Sequence, residues 1–169
     1  MTSNDQLTLH HFAPGEFGPS RHGRTADWWP SMNPGLLIRA DVFRRLWGMP
    51  VSVSGHPNAL GRRSGPGSNS DHNVDVRGTV DGMDVFPSGL VTRGTALFAL
   101  ECARQVGLSS IGLYPHWSRP GLHLGVRRGH GGPRPMATWG AIQRNGVQVY
   151  VSWDEALAHL PEAPGKEGA

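Results

Sequence analysis

The stretch SDHNVDVRGTVDGMDVF, residues 70–86, runs from a polar, glycine-containing loop into an apolar string. Upstream, Val51-Ser52-Val53-Ser54 alternates apolar and small polar residues with the period of a half-buried strand. Between that strand and the apolar string Met83–Phe86 lies a glycine- and serine-rich segment, 55–82. A loop that leaves a sheet and re-enters its core carries its polar groups to the edge of the scaffold. His72 and Asp84 are therefore expected where a site can be built.

Working outward, Asn33 can cap a helix, Pro34 suits its first position, and Leu36, Ala40, Phe43 and Trp47 recur at helical spacing up to Gly48. Thr92 can cap a second helix reaching about Val106, with Ala96, Leu97, Leu100 and Ala103 near one face and Gly107 as a stop. Ile111–Tyr114 and Leu122–Val126 read as short strands joined by a turn over Pro115–Pro120. Gln148–Val151 reads as another strand, and Ser152 with Glu155 has capping-box spacing for a short last helix. The opening holds Phe12, Phe17, Trp28 and Trp29 among prolines and glycines, so it is expected to be an irregular arm whose aromatics dock on the rest. These readings divide the chain into an arm at 1–32, one domain at 33–160 and a frayed tail at 161–169. The expected class is α+β: a small antiparallel sheet with flanking helices.

A length of 169 residues suits a single core, and 24 Gly with 14 Pro make much of the chain loop, without any repeat. The net charge of +3 favours proximity to polyanions. The arginine pairs Arg44/Arg45, Arg62/Arg63 and Arg127/Arg128 are scattered, however, and no dense basic run argues for nucleic acid. The single cysteine, Cys102, lies in an apolar helical stretch and is expected to be a buried thiol. No apolar run of about 18 residues and no basic-then-apolar start is present. A soluble protein is expected, in the cytoplasm or an assembled particle unless another route exports it.

Three segments carry possible ligands: Ser70-Asp71-His72, Asp81-Gly82-Met83-Asp84 and Gly121-Leu122-His123-Leu124-Gly125. Zinc accepts imidazole nitrogen and carboxylate oxygen, and a catalytic site needs three protein ligands and an open position. His72, Asp84 and His123 meet that requirement. Spacing alone does not select them, because 9 His and 13 acidic residues offer many triplets. An isolated strand histidine is more often structural, but a carboxylate between Met83 and Val85 is costly unless a metal or cation pairs it. His130 among glycines reads as solvent-facing, His10, His11, His22, His56 and His159 carry no pattern, and Trp117 and Trp139 read as wall packing rather than sugar stacking.

These segments, with Gly112-Leu113-Tyr114-Pro115 before the last histidine, Glu16-Phe17 and Ala137-Thr138-Trp139-Gly140, resemble the zinc D-Ala-D-Ala carboxypeptidases and endolysin L-alanyl-D-glutamate peptidases. The likeness covers most of the chain and is nearest to peptidase-like proteins of tailed bacteriophages. It implies the fold shared with the Hedgehog signalling domain and Zn²⁺ on His72, Asp84 and His123. It further implies hydrolysis of a peptide bond in peptidoglycan stem peptides by a metal-activated water, with Ser70 and one of Arg62 or Arg63 holding the substrate carboxylate. A virion or the host cytoplasm is the implied setting.

Two departures stand out. His72 and Asp84 are 12 apart, where the family pattern is about seven, so Asp75–Val80 is an insertion. Relatives carry an acid two after or three before the last histidine, and here those positions are Gly125 and Pro120. Residues two apart on a strand share a face, so a group at 125 would point toward the His123 site. The remaining candidates for the proton-transferring group are His116 first, then Asp81 and Asp71. The alternative is a catalytically degenerate virion or tail structural protein that keeps the fold and docks neighbouring subunits through its aromatic arm.

Overall fold

The computed structural model describes residues 4–66, 69–126 and 135–162. Arg127, Arg128, His130 and the end of the tail lie outside the described residues. Four α-helices are described: α1 (Pro34–Trp47), α2 (Val74–Arg77), α3 (Arg93–Gln105) and α4 (Trp153–Leu157). Six strands form one open sheet: β1 (Val51–Val53), β2 (Gly82–Pro87), β3 (Ser110–Tyr114), β4 (Gly121–Gly125), β5 (Ala137–Arg144) and β6 (Val147–Val151), in the order β1-β2-β4-β3-β5-β6. The class is α+β. None of the helices is long and apolar enough to cross a membrane among the described residues.

The caps expected from sequence form. Asn33 Oδ1 accepts from Gly35 N at 2.8 Å, Thr92 Oγ1 from Thr95 N at 3.2 Å, and Ser152 Oγ from Glu155 N at 3.1 Å. Two elements depart from expectation. The segment 55–82 contains α2, capped by Asn73, whose Oδ1 accepts from Asp75 N at 3.2 Å. The sheet is also mixed rather than wholly antiparallel, because β5 pairs with β3 in parallel. The reason is topological. β4 ends and β5 begins beside the same residue, Ser110, the first of β3, so β5 starts level with β3 and runs in the same direction.

Strand alternation gives the sheet two different faces. Met83, Val85, Ile111, Leu113, Leu122, Leu124 and Ile142 are buried in the core, which α1, α3 and α4 cover. Cys102 is buried there as a free thiol. The opposite face carries Asp84, Phe86, His123 and Tyr114, which line a cleft of about 1170 Å³.

The first thirty residues are tied to this frame by polar as well as aromatic contacts. Phe12, Phe17 and Trp29 are buried in a chain of ring contacts, Phe12 to Phe17 and Phe17 to Trp29, with centroids 5.9 and 5.4 Å apart. The buried Arg24 guanidinium donates to the carbonyls of Gly18, Ser54 and Glu16, each at 2.6 Å. Asp41 of α1 accepts from the backbone N–H of His10, His11 and Phe12 at 3.2, 2.8 and 3.1 Å. Charge-assisted bonds contribute more than neutral ones, so Asp41→Ala should cost about 2–4 kcal/mol of stability, read by urea unfolding. A loss below about 0.5 kcal/mol would mean that the aromatic contacts alone hold the segment.

Candidate metal centre

Pairing of β2 with β4 sets Asp84 directly opposite His123, so their side chains rise together from the polar face. His72 comes from the loop, whose position is fixed by backbone bonds. Arg62 N donates to His72 O at 2.9 Å, Asn73 N to Ser70 O at 3.0 Å, and Asp81 N to Asp71 O at 2.8 Å. The loop thus lies against the start of β2 and lowers His72 onto the Asp84–His123 pair.

The three side chains converge through one atom each. His72 Nε2 is 3.1 Å from His123 Nδ1, His123 Nδ1 is 3.1 Å from Asp84 Oδ1, and His72 Nε2 is 3.6 Å from Asp84 Oδ1. Zinc bonds of about 2.0–2.2 Å in a tetrahedron separate donors by about 3.3–3.6 Å, which this triangle approaches. The tautomers follow from the outer partners. His72 Nδ1 faces the Leu60 carbonyl, which only accepts, so Nδ1 carries the proton and Nε2 presents a lone pair. His123 Nε2 faces Asp71 Oδ2 at 3.5 Å, which leaves Nδ1 toward the triangle. Two lone pairs and a carboxylate oxygen meeting in a buried place fit a cation, and the donor set suits zinc.

The electrostatics agree. Burial alone would raise the Asp84 carboxyl, but hydrogen bonds from His123 and His72 and their charge hold it below the usual carboxylate range. Burial alone would depress His123, yet Asp71 and Asp84 outweigh it and the imidazole is pushed up to about 9. A proton and a metal ion would compete for this nitrogen. Next to it, burial and the charge of Asp84 raise the Tyr114 phenol well above its ordinary range, so it stays a neutral hydroxyl.

Of the residues singled out from sequence, His72, Asp84 and His123 come together, and Ser70 and Arg62 line the same cleft. Arg62 Nε is buried and makes no hydrogen bond among the described residues. Arg63 instead points outward to Asp75, at 3.1 Å. Asp81 is fully buried away from the cleft, where its Oδ1 accepts from Asn33 Nδ2 at 2.8 Å and Thr79 Oγ1 at 2.6 Å, joining the α1 cap to β2. His116 is exposed and outside the cleft lining, with Nδ1 accepting from Gln143 N at 2.9 Å and its ring edge-on to His159. Neither is placed to exchange a proton at the triangle.

Sequence reasoning passed over Tyr114 and gave Trp139 a purely packing role. Trp139 lies across from Gly112, where a Cβ would come within 2.6 Å of its ring, and so it leans on His123 with centroids 5.1 Å apart. Its Nε1 donates to the Tyr114 hydroxyl at 3.2 Å. Counting by two along the strand that holds Gly112 would have found Tyr114 on the site face. Trp117 also lines the cleft, stacked on Tyr114 at 3.9 Å. Compared with family models, with curated proteins and with solved structures, the chain has no match in any of the three.

Proposed function

We propose that this chain is a zinc-dependent peptidase of the D,D-carboxypeptidase and L-alanyl-D-glutamate peptidase type, with the fold those enzymes share with the Hedgehog domain, acting on peptidoglycan stem peptides in a phage particle or lysis system. The observation that carries the proposal is the triangle of His72 Nε2, His123 Nδ1 and Asp84 Oδ1, closed to 3.1–3.6 Å at the floor of a large cleft. Zn²⁺ held there supplies Lewis-acid polarisation of the scissile carbonyl and a water of lowered pKa, toward about 7. Arg62 and Ser70, which line the cleft, receive the carboxylate of the stem peptide, and a guanidinium suits that role because it binds carboxylates bidentately. Tyr114 and Trp139 wall the substrate beside His123 and exclude water from it.

A second reading is favoured by a different observation. The carboxylates that line the cleft among the described residues are Asp84, within the triangle, and Asp71, buried behind His123. No third acid is there to move a proton, as a virion or tail protein that keeps the fold without cleaving would allow. Muropeptide release from purified peptidoglycan by zinc-loaded wild type, beside Asp84→Ala, separates the two. Products from wild type alone are expected. No product from a wild type shown to hold zinc, across several wall chemistries, would leave only the structural role.

A further inference from the structure

We infer that Asp71 is the positioning residue of His123, standing in from the loop for the acid that position 125 of β4 lacks, and that the insertion after His72 exists to hold it there. The inference rests on the metal-centre reading above. Its geometry is specific to this chain. A Cβ built on Gly125 would lie 2.3 Å from Ser110 Oγ, 2.9 Å from Asp71 Oδ2 and 3.0 Å from His123 Nε2. The volume a strand-borne acid would enter is therefore already filled by the Asp71 carboxylate and the serine that serves it.

Each Asp71 oxygen has a partner that fixes its aim. Ser110 Oγ donates to Oδ2 at 3.2 Å, and Oδ2 faces His123 Nε2 at 3.5 Å. Arg77, the last residue of α2, brings its guanidinium to 3.4 Å from Oδ1 and also donates to Asn69 O at 2.8 Å. A carboxylate on one imidazole nitrogen fixes the tautomer that leaves the other as a lone pair, and such partners are what orient metal-ligating histidines. Without Arg77, a buried carboxylate beside Asp84 would face a second negative group across one imidazole. The segment that lengthens the spacing from His72 to Asp84 includes the end of the helical turn Val74–Arg77, whose last residue is this arginine. Length and charge thus have one explanation.

The test uses the full chain and Co²⁺ as a visible probe, with Zn²⁺ affinity from competition against a chromophoric chelator. Asp71→Asn keeps the shape but presents an amide that can donate to Nε2 and so favours the wrong tautomer. Its Zn²⁺ affinity should fall about 10- to 100-fold, with a changed Co²⁺ absorption, while the metal-free protein unfolds at a similar temperature. Moving the acid back, by Asp71→Ala with Ser110→Ala and Gly125→Asp, should recover most of the affinity and the original spectrum, which a merely structural role of Asp71 would not. An Asp71→Asn protein with unchanged affinity and spectrum overturns the inference and leaves the metal centre standing. Wild type that binds neither ion overturns both. If Asp71→Asn does not fold, Arg77→Met decides: weaker zinc binding supports the inference, and unchanged binding rejects it.

Discussion

Replacement of Asp84 by alanine should lower zinc affinity about 10³-fold and abolish any zinc-dependent activity. The magnitude follows from the number of donors: a protein zinc site contributes about 10–16 kcal/mol, and one of three ligands accounts for roughly a third of it. Asp84 is also the only anionic donor of the triangle and is held ionised by its two histidine neighbours, so its loss removes the main electrostatic attraction for a dication. Asp84→Asn, which keeps a carbonyl oxygen but no charge, should fall between alanine and wild type. Competition titration with a chromophoric chelator reads all three. Equal affinities would mean that any zinc taken up by the chain sits elsewhere, and the cleft would then need another explanation.

Two members of the triangle, Asp84 and His123, were legible because their chemistry and their backbone setting coincide in short words of sequence. His123 lies in Gly121-Leu122-His123-Leu124-Gly125, where leucines on alternate positions mark one face as core and leave the histidine on the other. Asp84 is flanked by Met83 and Val85 in the same way, and the two strands are paired so that the two polar residues are opposite. α1 and α3 were legible from their caps, Asn33 and Thr92, and from the apolar spacing behind them, whereas the short α2 was not. What escaped were features that depend on register between distant segments. β5 begins Ala137-Thr138-Trp139-Gly140, whose mixed pattern reflects a strand squeezed between Trp139 on the cleft face and α4 on the other, where a Cβ at Gly140 would come within 2.1 Å of Ala156 Cβ. His116 looked suitable because it lies on the turn just before β4, yet that turn aims it at Gln143 and His159. The role of Asp71 was hidden for the same reason: nothing in the sequence says that the loop residue before His72 fills the space above Gly125.

In protein stripped of metal by a chelator, thermal stability should decline as the pH rises from about 6.5 to about 9. The group responsible is His123, which burial would depress but which the Asp71 and Asp84 carboxylates hold up to about 9 from an ordinary 6.5. A folded-state pKa above the unfolded one means that the contribution is fully present below about 6.5 and is lost as the pH climbs through about 9. The effect is on the order of 3 kcal/mol, or about 5–10 °C in a chain of this size. The neighbouring shifts act outside this window. Asp84 is held below the usual carboxylate range and contributes stability that disappears only in acid, whereas the raised Tyr114 and Cys102 act only in more alkaline solution. With zinc added the trend reverses, since coordination needs the His123 nitrogen without its proton. The increment in melting temperature from a fixed zinc concentration should therefore grow across the same interval. His123→Gln should flatten the metal-free slope. A slope that persists in that variant would assign the titration to some other group and remove the imidazolium from between Asp71 and Asp84.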